Sequence, residues 1–411
     1  MSNARPKHAP VTQFPVHGDC LQIGGMPLTR LAQRVGRTPF YAYDRQRITE
    51  RVAVLRQHLP AEIHLHYAMK ANPMPAVVQH LASLVDGLDV ASAGEMKIAL
   101  DTPSPPDQIS FAGPGKADSE LSCAIAAGIT LNMESGQEME RIAKLGDQLG
   151  IRPKVAVRVN PDFELKSSSM KMGGGPKQFG VDAERVPDML TRIGELGLDF
   201  EGFHIFSGSQ NLKVAALQES HEKTLQLAIA LARHAPDTVR LLNIGGGFGV
   251  PYFPGDEALD VAAVGENLRR LMPEAKRQLP DARLVIELGR YLVAEAGVYV
   301  CRVLERKESR GQIFLVTDGG LHHHLAASGN FGQVIRKNYP VVVGNQVQGA
   351  EREIVSVVGP LCTPLDLLAD RMEMSKAEAG DLIVVFQSGA YGLTASPTAF
   401  LSHPAPAEVL V

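Results

Sequence analysis

The chain has 411 residues, 45% of them hydrophobic and 21% charged, which is the balance of a soluble globular protein, and at this length two domains are expected. A net charge of −4 without a block of like charge, no tryptophan and only 5% aromatic residues argue against nucleic acid or an anionic membrane as partners. No apolar run reaches the length of a membrane span, the first residues lack the apolar core of a signal peptide, and the four cysteines, Cys20, Cys123, Cys301 and Cys362, are too far apart for a metal-type pair, so a cytoplasmic protein with free thiols is expected.

Residues 1–44 hold strand-like pieces at Cys20–Ile23 and Phe40–Tyr43 with a short helix over Pro27–Val35 between them. From about residue 45, apolar runs alternate with helical stretches at the spacing of βα units. Strands are predicted at Ile63–Met69, Gly87–Ala91, Gln108–Ala112, Ile129–Met133, Lys154–Val159, Glu201–Phe206, Arg240–Ile244 and Arg283–Leu288. Helices are predicted between them, for example at Ala76–Leu84, Asp118–Ala127, Gly136–Leu149, Val186–Leu196, Leu217–His234 and Val264–Leu279. Eight strands alternating with helices predict an α/β fold, a parallel (β/α)8 barrel over residues 45–290. A doubly wound open sheet has the same elements and stays open as the alternative. Beyond residue 290 short β-like runs follow, at Leu292–Leu304, Gln312–Thr317, Pro340–Gly344, Glu353–Val358 and Asp381–Phe386. They predict an all-β domain over 291–411, with residues 1–44 completing its sheets.

Polar residues gather at the C-terminal ends of the barrel strands. They are Lys70, Asp89 with Ser92, Arg158 with Asn160, His204 with Ser207, Gly245-Gly246-Gly247, and Glu287 with Arg290. In a barrel those ends ring one mouth, where such folds carry their active sites. A lysine ending a buried strand is poorly placed for packing, but burial there favours the neutral amine, which attacks carbonyls. On its own strand Lys70 reads equally as a lysine that reaches solvent.

Gly245-Gly246-Gly247-Phe248-Gly249 lets backbone N–H groups approach an anion. It lacks the spacing of a Walker or dinucleotide loop, yet it follows strand seven, where barrels bind phosphate. Glu287 and Arg290 could form a structural ion pair, or could separately hold a pyridine nitrogen and a phosphate. His322-His323-His324 does not suit one metal, because consecutive side chains point apart, and no metal is expected. The stretch Lys166–Lys177 reads as a flexible, closing loop. A lysine nucleophile, a phosphate cradle, a carboxylate and an arginine at one mouth suggest pyridoxal 5′-phosphate.

The motifs Tyr67-Ala68-Met69-Lys70-Ala71-Asn72, Asp89-Val90-Ala91-Ser92 with Glu95, Arg158-Val159-Asn160-Pro161, Phe179-Gly180, His204 with Gly208-Ser209-Gln210, Gly245–Gly249, Glu287 to Arg290, Gly359-Pro360-Leu361-Cys362 and Gly389-Ala390-Tyr391 carry a resemblance over nearly the whole chain. The chain resembles the fold type III, alanine-racemase-like pyridoxal-phosphate decarboxylases of the diaminopimelate, ornithine and arginine group. Within that group it is most similar to the decarboxylases associated with exosortase A systems. The resemblance implies a head-to-tail homodimer with shared active sites. It implies Lys70 as the Schiff-base lysine, His204 stacked on the cofactor ring and Glu287 at the pyridine nitrogen. It gives the phosphate to Gly246, Gly247, Ser207 or Ser209, Arg290 and Tyr391, and lines the cofactor site with Asp89, Glu95 and Arg158. Cys362 would enter from the partner subunit as the acid that reprotonates the α-carbon, and Arg290, Arg336, Thr363 and Tyr391 would meet the substrate.

Alanine racemases of this fold carry an arginine where Glu287 stands, so Glu287 favours decarboxylation over racemisation. The presence of both Lys70 and Cys362 argues against a catalytically silent regulator. The chain departs from the family in three places. The segment after His204 reads Ile205-Phe206-Ser207-Gly208-Ser209-Gln210, Leu288 stands in place of a proline, and Thr363 stands where an acidic residue grips the far amine of the substrate. A threonine cannot supply that charge. Diaminopimelate, ornithine and lysine are therefore expected to be poor substrates, and the expected substrate has a neutral or acidic far end or is tethered to a carrier protein. Free meso-diaminopimelate is the alternative.

Overall fold

The structure is a computed structural model and describes residues 6–163, 170–171 and 173–411. It falls into two compact units: residues 51–249 with 259–289 form one, and residues 1–50, 250–258 and 290–411 form the other.

In the first unit, eight parallel strands form a closed ring among the described residues. They are β1 (Ile63–Ala68), β2 (Gly87–Val90), β3 (Ile109–Phe111), β4 (Thr130–Met133), β5 (Lys154–Asn160), β6 (Asp199–Ile205), β7 (Leu241–Gly246) and β8 (Arg283–Leu288). Each pairs with the next, and β8 pairs back onto β1. Closure excludes the open doubly wound sheet. Both faces of these strands are covered, so alternation gives way to continuous apolar burial; in β1 only His64 is half-exposed.

Helices between the strands start and stop where the sequence says they should. Over Asp118–Ala127 the Glu120 carboxylate accepts the Ala117 N–H at 2.9 Å, and Gly128 ends the helix in the left-handed region at φ 77°. At Gly136–Leu149 the Ser135 hydroxyl caps Glu138 N–H, and at Val261–Gln278 the Asp260 carboxylate caps Ala263 N–H.

The parallel register brings residues from distant parts of the chain to one level. Glu287 pairs with His66 and with Gly246, His204 with Arg158 and Asn243, and Asp89 with Ala68 and Ser110. All lie at or near the C-terminal ends of their strands.

The second unit is built on a mixed sheet. Its longest strand, Gly297–Ser309, pairs with Phe40–Tyr43, Leu382–Val385 and Gln312–Thr317, all antiparallel. Residues of the N-terminal segment thus join this sheet. Phe14, Leu21, Leu28, Leu31, Phe40, Val298, Val384 and Phe386 are buried together in its core.

One expectation needs correction here, and two further features were not expected. The strand expected at Leu292 begins at Gly297, because Arg290–Val293 is a helical turn followed by a 3₁₀ turn over Ala294–Ala296. Strands at Leu367–Ser375 and Ala407–Leu410 were not foreseen. The sheet also contains parallel pairs, Gln312–Thr317 with Arg352–Val358 and Ala407–Leu410 with Phe40–Tyr43.

Candidate active site

Lys70 sits one residue into a 3₁₀ turn, Met69–Ala71, that follows β1 directly. Met69 and Ala71 are buried, which anchors the turn, but the Lys70 side chain is exposed. Lys70 is thus not buried as expected; the turn presents its side chain outward between two buried neighbours. Its Nζ lies 5.7 Å from the centroid of the Phe206 ring, within cation–π range.

Glu287, at the end of β8, is deeply buried. Its Oε2 stands 3.0 Å from His204 Nε2 and 3.4 Å from Asn243 Nδ2. Burial alone would raise its pKa, yet the His204 ring, the Lys70 ammonium and the Arg158 guanidinium outweigh it and hold the carboxyl well below the usual carboxylate range. The His204 contact is close but not aligned as a hydrogen bond; the separation alone makes it electrostatic. His204, which the family resemblance expects on the face of a cofactor ring, stands with its Nε2 toward this carboxylate.

Asp89 points into a buried polar chain. Its Oδ1 accepts from Ser110 Oγ at 2.6 Å and lies 3.2 Å from His66 Nδ1, while Asn132 Nδ2 donates to Ser110 Oγ at 3.0 Å. Arg158 donates from Nη1 to Glu134 Oε1 at 2.7 Å and stacks its guanidinium 4.9 Å from the Phe179 centroid. Glu95 lies in the first turn of the helix Ala93–Leu100, whose N-cap is Ser92, and its carboxylate accepts the Ala91 N–H at 2.7 Å. Burial raises the Glu95 pKa against that bond and the Lys70 charge.

The glycine run follows β7. Gly245 and Gly247 both adopt φ 71°, open to glycine at little cost. A Cβ on Gly246 would strike the Glu287 carbonyl, and one on Gly247 the Gly208 carbonyl. The turn is clamped by Asn211, whose N–H donates to Gly247 O and whose carbonyl accepts from Gly249 N–H, each at 2.9 Å. Ser207 is buried and shares a 2.7 Å hydrogen bond with Ser220, whereas Ser209 is half-buried in a two-residue strand paired with Met170–Lys171. Of the loop expected over Lys166–Lys177, residues 166–169 and 172 lie outside the described residues.

The remaining predicted residues belong to the second unit. Arg290 donates from Nη1 to Tyr252 Oη at 3.1 Å, and its guanidinium lies 5.5 Å from the Tyr252 centroid and 4.5 Å from that of Tyr391. Burial opposes its charge, but the two phenols favour it and leave its pKa raised. Tyr252 was not singled out in the sequence, since no motif marks it. Arg336 donates to the carbonyls of Ser328 and Leu367. Cys362 is exposed on a turn held by Asp366, which accepts the N–H groups of Leu321 at 2.6 Å and Leu361 at 2.9 Å. Thr363, next on that turn, is half-buried. Two of the three consecutive histidines are tied into the second unit by hydrogen bonds. His323 contacts Tyr299 Oη and Pro404 O, His324 contacts Ser388 Oγ, and burial lowers their pKa values to about 4 and about 3.

A profile of the pyridoxal-dependent decarboxylases, covering their pyridoxal-binding domain, matches residues 45–294. The chain belongs to this family. Like its relatives, this decarboxylase is a carboxy-lyase that uses pyridoxal phosphate. It is 39% identical over 393 residues to the L-glutamyl-[BtrI acyl-carrier protein] decarboxylase of Niallia circulans, covering 93% of this chain and 90% of that one. It is 32% identical over 394 residues to the diaminopimelate decarboxylase of Aquifex aeolicus, covering 95% and 90%. The diaminopimelate decarboxylase of M. jannaschii, solved with L-lysine, superposes with a TM-score of 0.88 at 26% identity, covering 97% of this chain and 93% of that one.

The residues of the barrel mouth fit such a cofactor. Asp89 Oδ2, His204 Nδ1 and both polar side-chain atoms of Asn211 are buried without a hydrogen-bond partner among the described residues. Buried polar groups left so are costly, and a polar ligand would relieve them. An exposed amine, a buried anionic carboxylate and a glycine turn complete a donor set suited to an aldehyde, a pyridine nitrogen and a phosphate.

Proposed function

We propose that this protein decarboxylates an amino acid with pyridoxal phosphate held through the Lys70 amine, and that its substrate has no free distal amine because its far end is neutral, acidic or tethered to a carrier protein. The observation that carries the reaction type is Glu287, a buried carboxylate kept ionised by the cations around it. When bound, pyridoxal phosphate supplies the electron sink that lets a carboxyl group leave as carbon dioxide. Glu287, by its negative charge, would favour a protonated ring nitrogen in a cofactor bound there.

The other residues bind and orient. Gly246, Gly247 and either Ser207 or Ser209 would receive the phosphate in the turn after β7. Asp89 and Arg158 fix the polar wall, and Glu95 holds the turn into the helix behind it. Arg290 and Tyr391 carry the family's phosphate motifs, and Arg336 donates to the carbonyls of Ser328 and Leu367. Cys362 supplies the proton returned to the α-carbon, contributed by a second copy of the chain in a homodimer. The carrier-bound glutamate named for the Niallia circulans relative and the threonine at position 363 support a substrate without a distal ammonium.

The test is carbon dioxide release from purified protein across free amino acids and carrier-bound aminoacyl groups. Release from a glutamyl-type or carrier-bound substrate is expected. Efficient turnover of free meso-diaminopimelate would overturn the substrate assignment, and racemisation without carbon dioxide would overturn the reaction.

A further inference from the structure

We propose that Glu134 is a positioning residue for the reaction, fixing the guanidinium of Arg158 where its charge acts on Glu287. This rests on the reading that Glu287 meets the cofactor's ring nitrogen.

Glu134 is the first residue beyond β4, and its side chain is 2% exposed. Its carboxylate collects donors from three separate stretches of chain. Oε1 accepts from Arg158 Nη1 and from the Gly113 N–H, each at 2.7 Å, and Oε2 accepts from the Gly180 N–H at 2.8 Å. Gly180 leads into a two-residue strand, Val181–Asp182, that runs parallel to β5 beside Val159 and Asn160. Its φ is 75°, and an added Cβ would come to 3.0 Å from the Arg158 carbonyl oxygen, so only glycine lets the two backbones approach this closely. The preceding residue, Phe179, sets its ring centroid 4.9 Å from the Arg158 guanidinium. The guanidinium is therefore held by a carboxylate and by an aromatic ring together. This gives the Phe179-Gly180 motif a task that its sequence alone does not disclose.

Glu134 is itself held in place. Glu138 Oε2 accepts the Glu134 N–H at 2.8 Å, and Glu138 Oε1 accepts from Lys116 Nζ at 2.6 Å. The same ammonium donates to the carbonyls of Gly113 at 2.7 Å and Asn132 at 2.9 Å, which uses all three of its protons. One lysine thus pins the backbone at Gly113 and the backbone leading into Glu134.

Lys116, Glu138, Glu134 and Arg158 are all buried, two charges of each sign. Buried ion pairs are weak evidence for stability, because apolar residues of similar volume often do as well. What this chain of charges supplies is direction. Arg158 lies in register with His204, whose Nε2 stands 3.0 Å from Glu287 Oε2, and the Arg158 charge is one of those that keep Glu287 ionised. Among the described residues the ion pair of Arg158 is with Glu134. A guanidinium tied there acts on Glu287 through space and leaves that carboxylate's oxygens to other partners.

The experiment is a double-mutant cycle of Glu134→Gln and Arg158→Gln in the full chain. Each apoprotein is titrated with pyridoxal phosphate, and the pH midpoint of the bound cofactor's absorbance is recorded. Glu134→Gln should weaken the dissociation constant about 10-fold or more, the scale of a charge-assisted hydrogen bond, and Arg158→Gln by at least as much. The double variant should stay within about threefold of Arg158→Gln alone, since Glu134 then has nothing to position. Both single variants should move the absorbance midpoint in the same direction. An ion pair that serves only the fold would couple in thermal midpoints, but not in affinity or absorbance. Glu134→Asp keeps the charge, withdraws it by one methylene, and should bind the cofactor more weakly than wild type. If a single variant does not fold, Glu134→Asp and Arg158→Lys, which keep both charges, replace the pair in the same cycle.

Losses that multiply in the double variant would overturn the proposal, as would wild-type affinity in either single variant or in Glu134→Asp. Glu287→Gln is the control. If it leaves the absorbance midpoint unchanged, the reading of Glu287 fails; if it shifts that midpoint while the cycle is additive, only this inference fails.

Discussion

His204 Nε2 stands 3.0 Å from Glu287 Oε2, with both side chains more than nine-tenths buried. An isolated glutamate titrates near about 4.3, and Glu287 is held below that by His204, Lys70 and Arg158 against the opposing effect of burial. A carboxyl whose pKa is depressed on folding contributes stability above its unfolded value and loses it as the pH falls toward the folded one. The apoprotein should therefore lose stability from about pH 5 downward. Glu287→Gln should flatten that decline, as read from urea midpoints at pH 6, 4 and 3. An equally steep decline in the variant would place the acid sensitivity elsewhere.

Lys70→Ala should abolish the borohydride-trapped adduct and bring carbon dioxide release below detection. The exposed side chain makes a folding defect improbable as the cause, and the thermal midpoint of the apoprotein should stay within about 2 °C of wild type, as for surface substitutions. A trapped adduct on another lysine would overturn the assignment.

Mixing two inactive variants tests whether sites are shared between subunits. Lys70→Ala and Cys362→Ala subunits, exchanged at random, should recover about a quarter of wild-type activity, because one of the two sites in a mixed dimer is then intact. Cys362→Ser alone should cost about 10²–10⁴-fold in turnover, the scale of a lost proton donor. No recovery on mixing would mean that each site is built from a single chain.

Thr363→Asp should raise turnover of amino acids with a distal amine. A charge-assisted hydrogen bond contributes about 1.5–3 kcal/mol, so kcat/KM for lysine or meso-diaminopimelate should rise about 10–150-fold. The same variant should lose activity on a carrier-bound or acidic substrate. Unchanged preference would remove Thr363 from the list of specificity determinants.

Gly202 lies at an irregularity in β6, with φ 151°. An added Cβ would strike the Leu241 carbonyl. Gly202→Ala should destabilise the barrel by about 1–3 kcal/mol, the cost of a strained backbone site, and a denaturation midpoint equal to wild type would contradict this.

The barrel was legible because each strand is a short apolar run bounded by a helix with its own cap. Asp118–Ala127 and Gly136–Leu149 were placed to the residue, since Glu120, Ser135, Gly128 and Gly150 mark their ends. Leu367–Ser375 was missed because Leu, Ala, Arg, Met and Glu favour helix, and only its sheet neighbours make it a strand. The site was legible where a residue lies within a strand, as Asp89, Arg158 and Glu287 do. It was less so just past a strand end, where alternation no longer gives direction. Lys70 lies within the 3₁₀ turn that follows β1 and Phe206 follows β6 by one residue, so neither exposure nor facing could be read from period.

The strand Phe40–Tyr43 is flanked on one side by Gly297–Ser309 and on the other by Ala407–Leu410. During synthesis it leaves the ribosome long before either neighbour exists, with both edges bare. The barrel is encoded between them, and its last strand, Arg283–Leu288, must return to Ile63–Ala68 before it closes. The β sheet must wait, so an unpaired apolar strand spends most of translation exposed. Until residue 297 emerges, this apolar strand therefore has neither of its sheet partners, and its bare edges are of the kind that templates pairing with other chains.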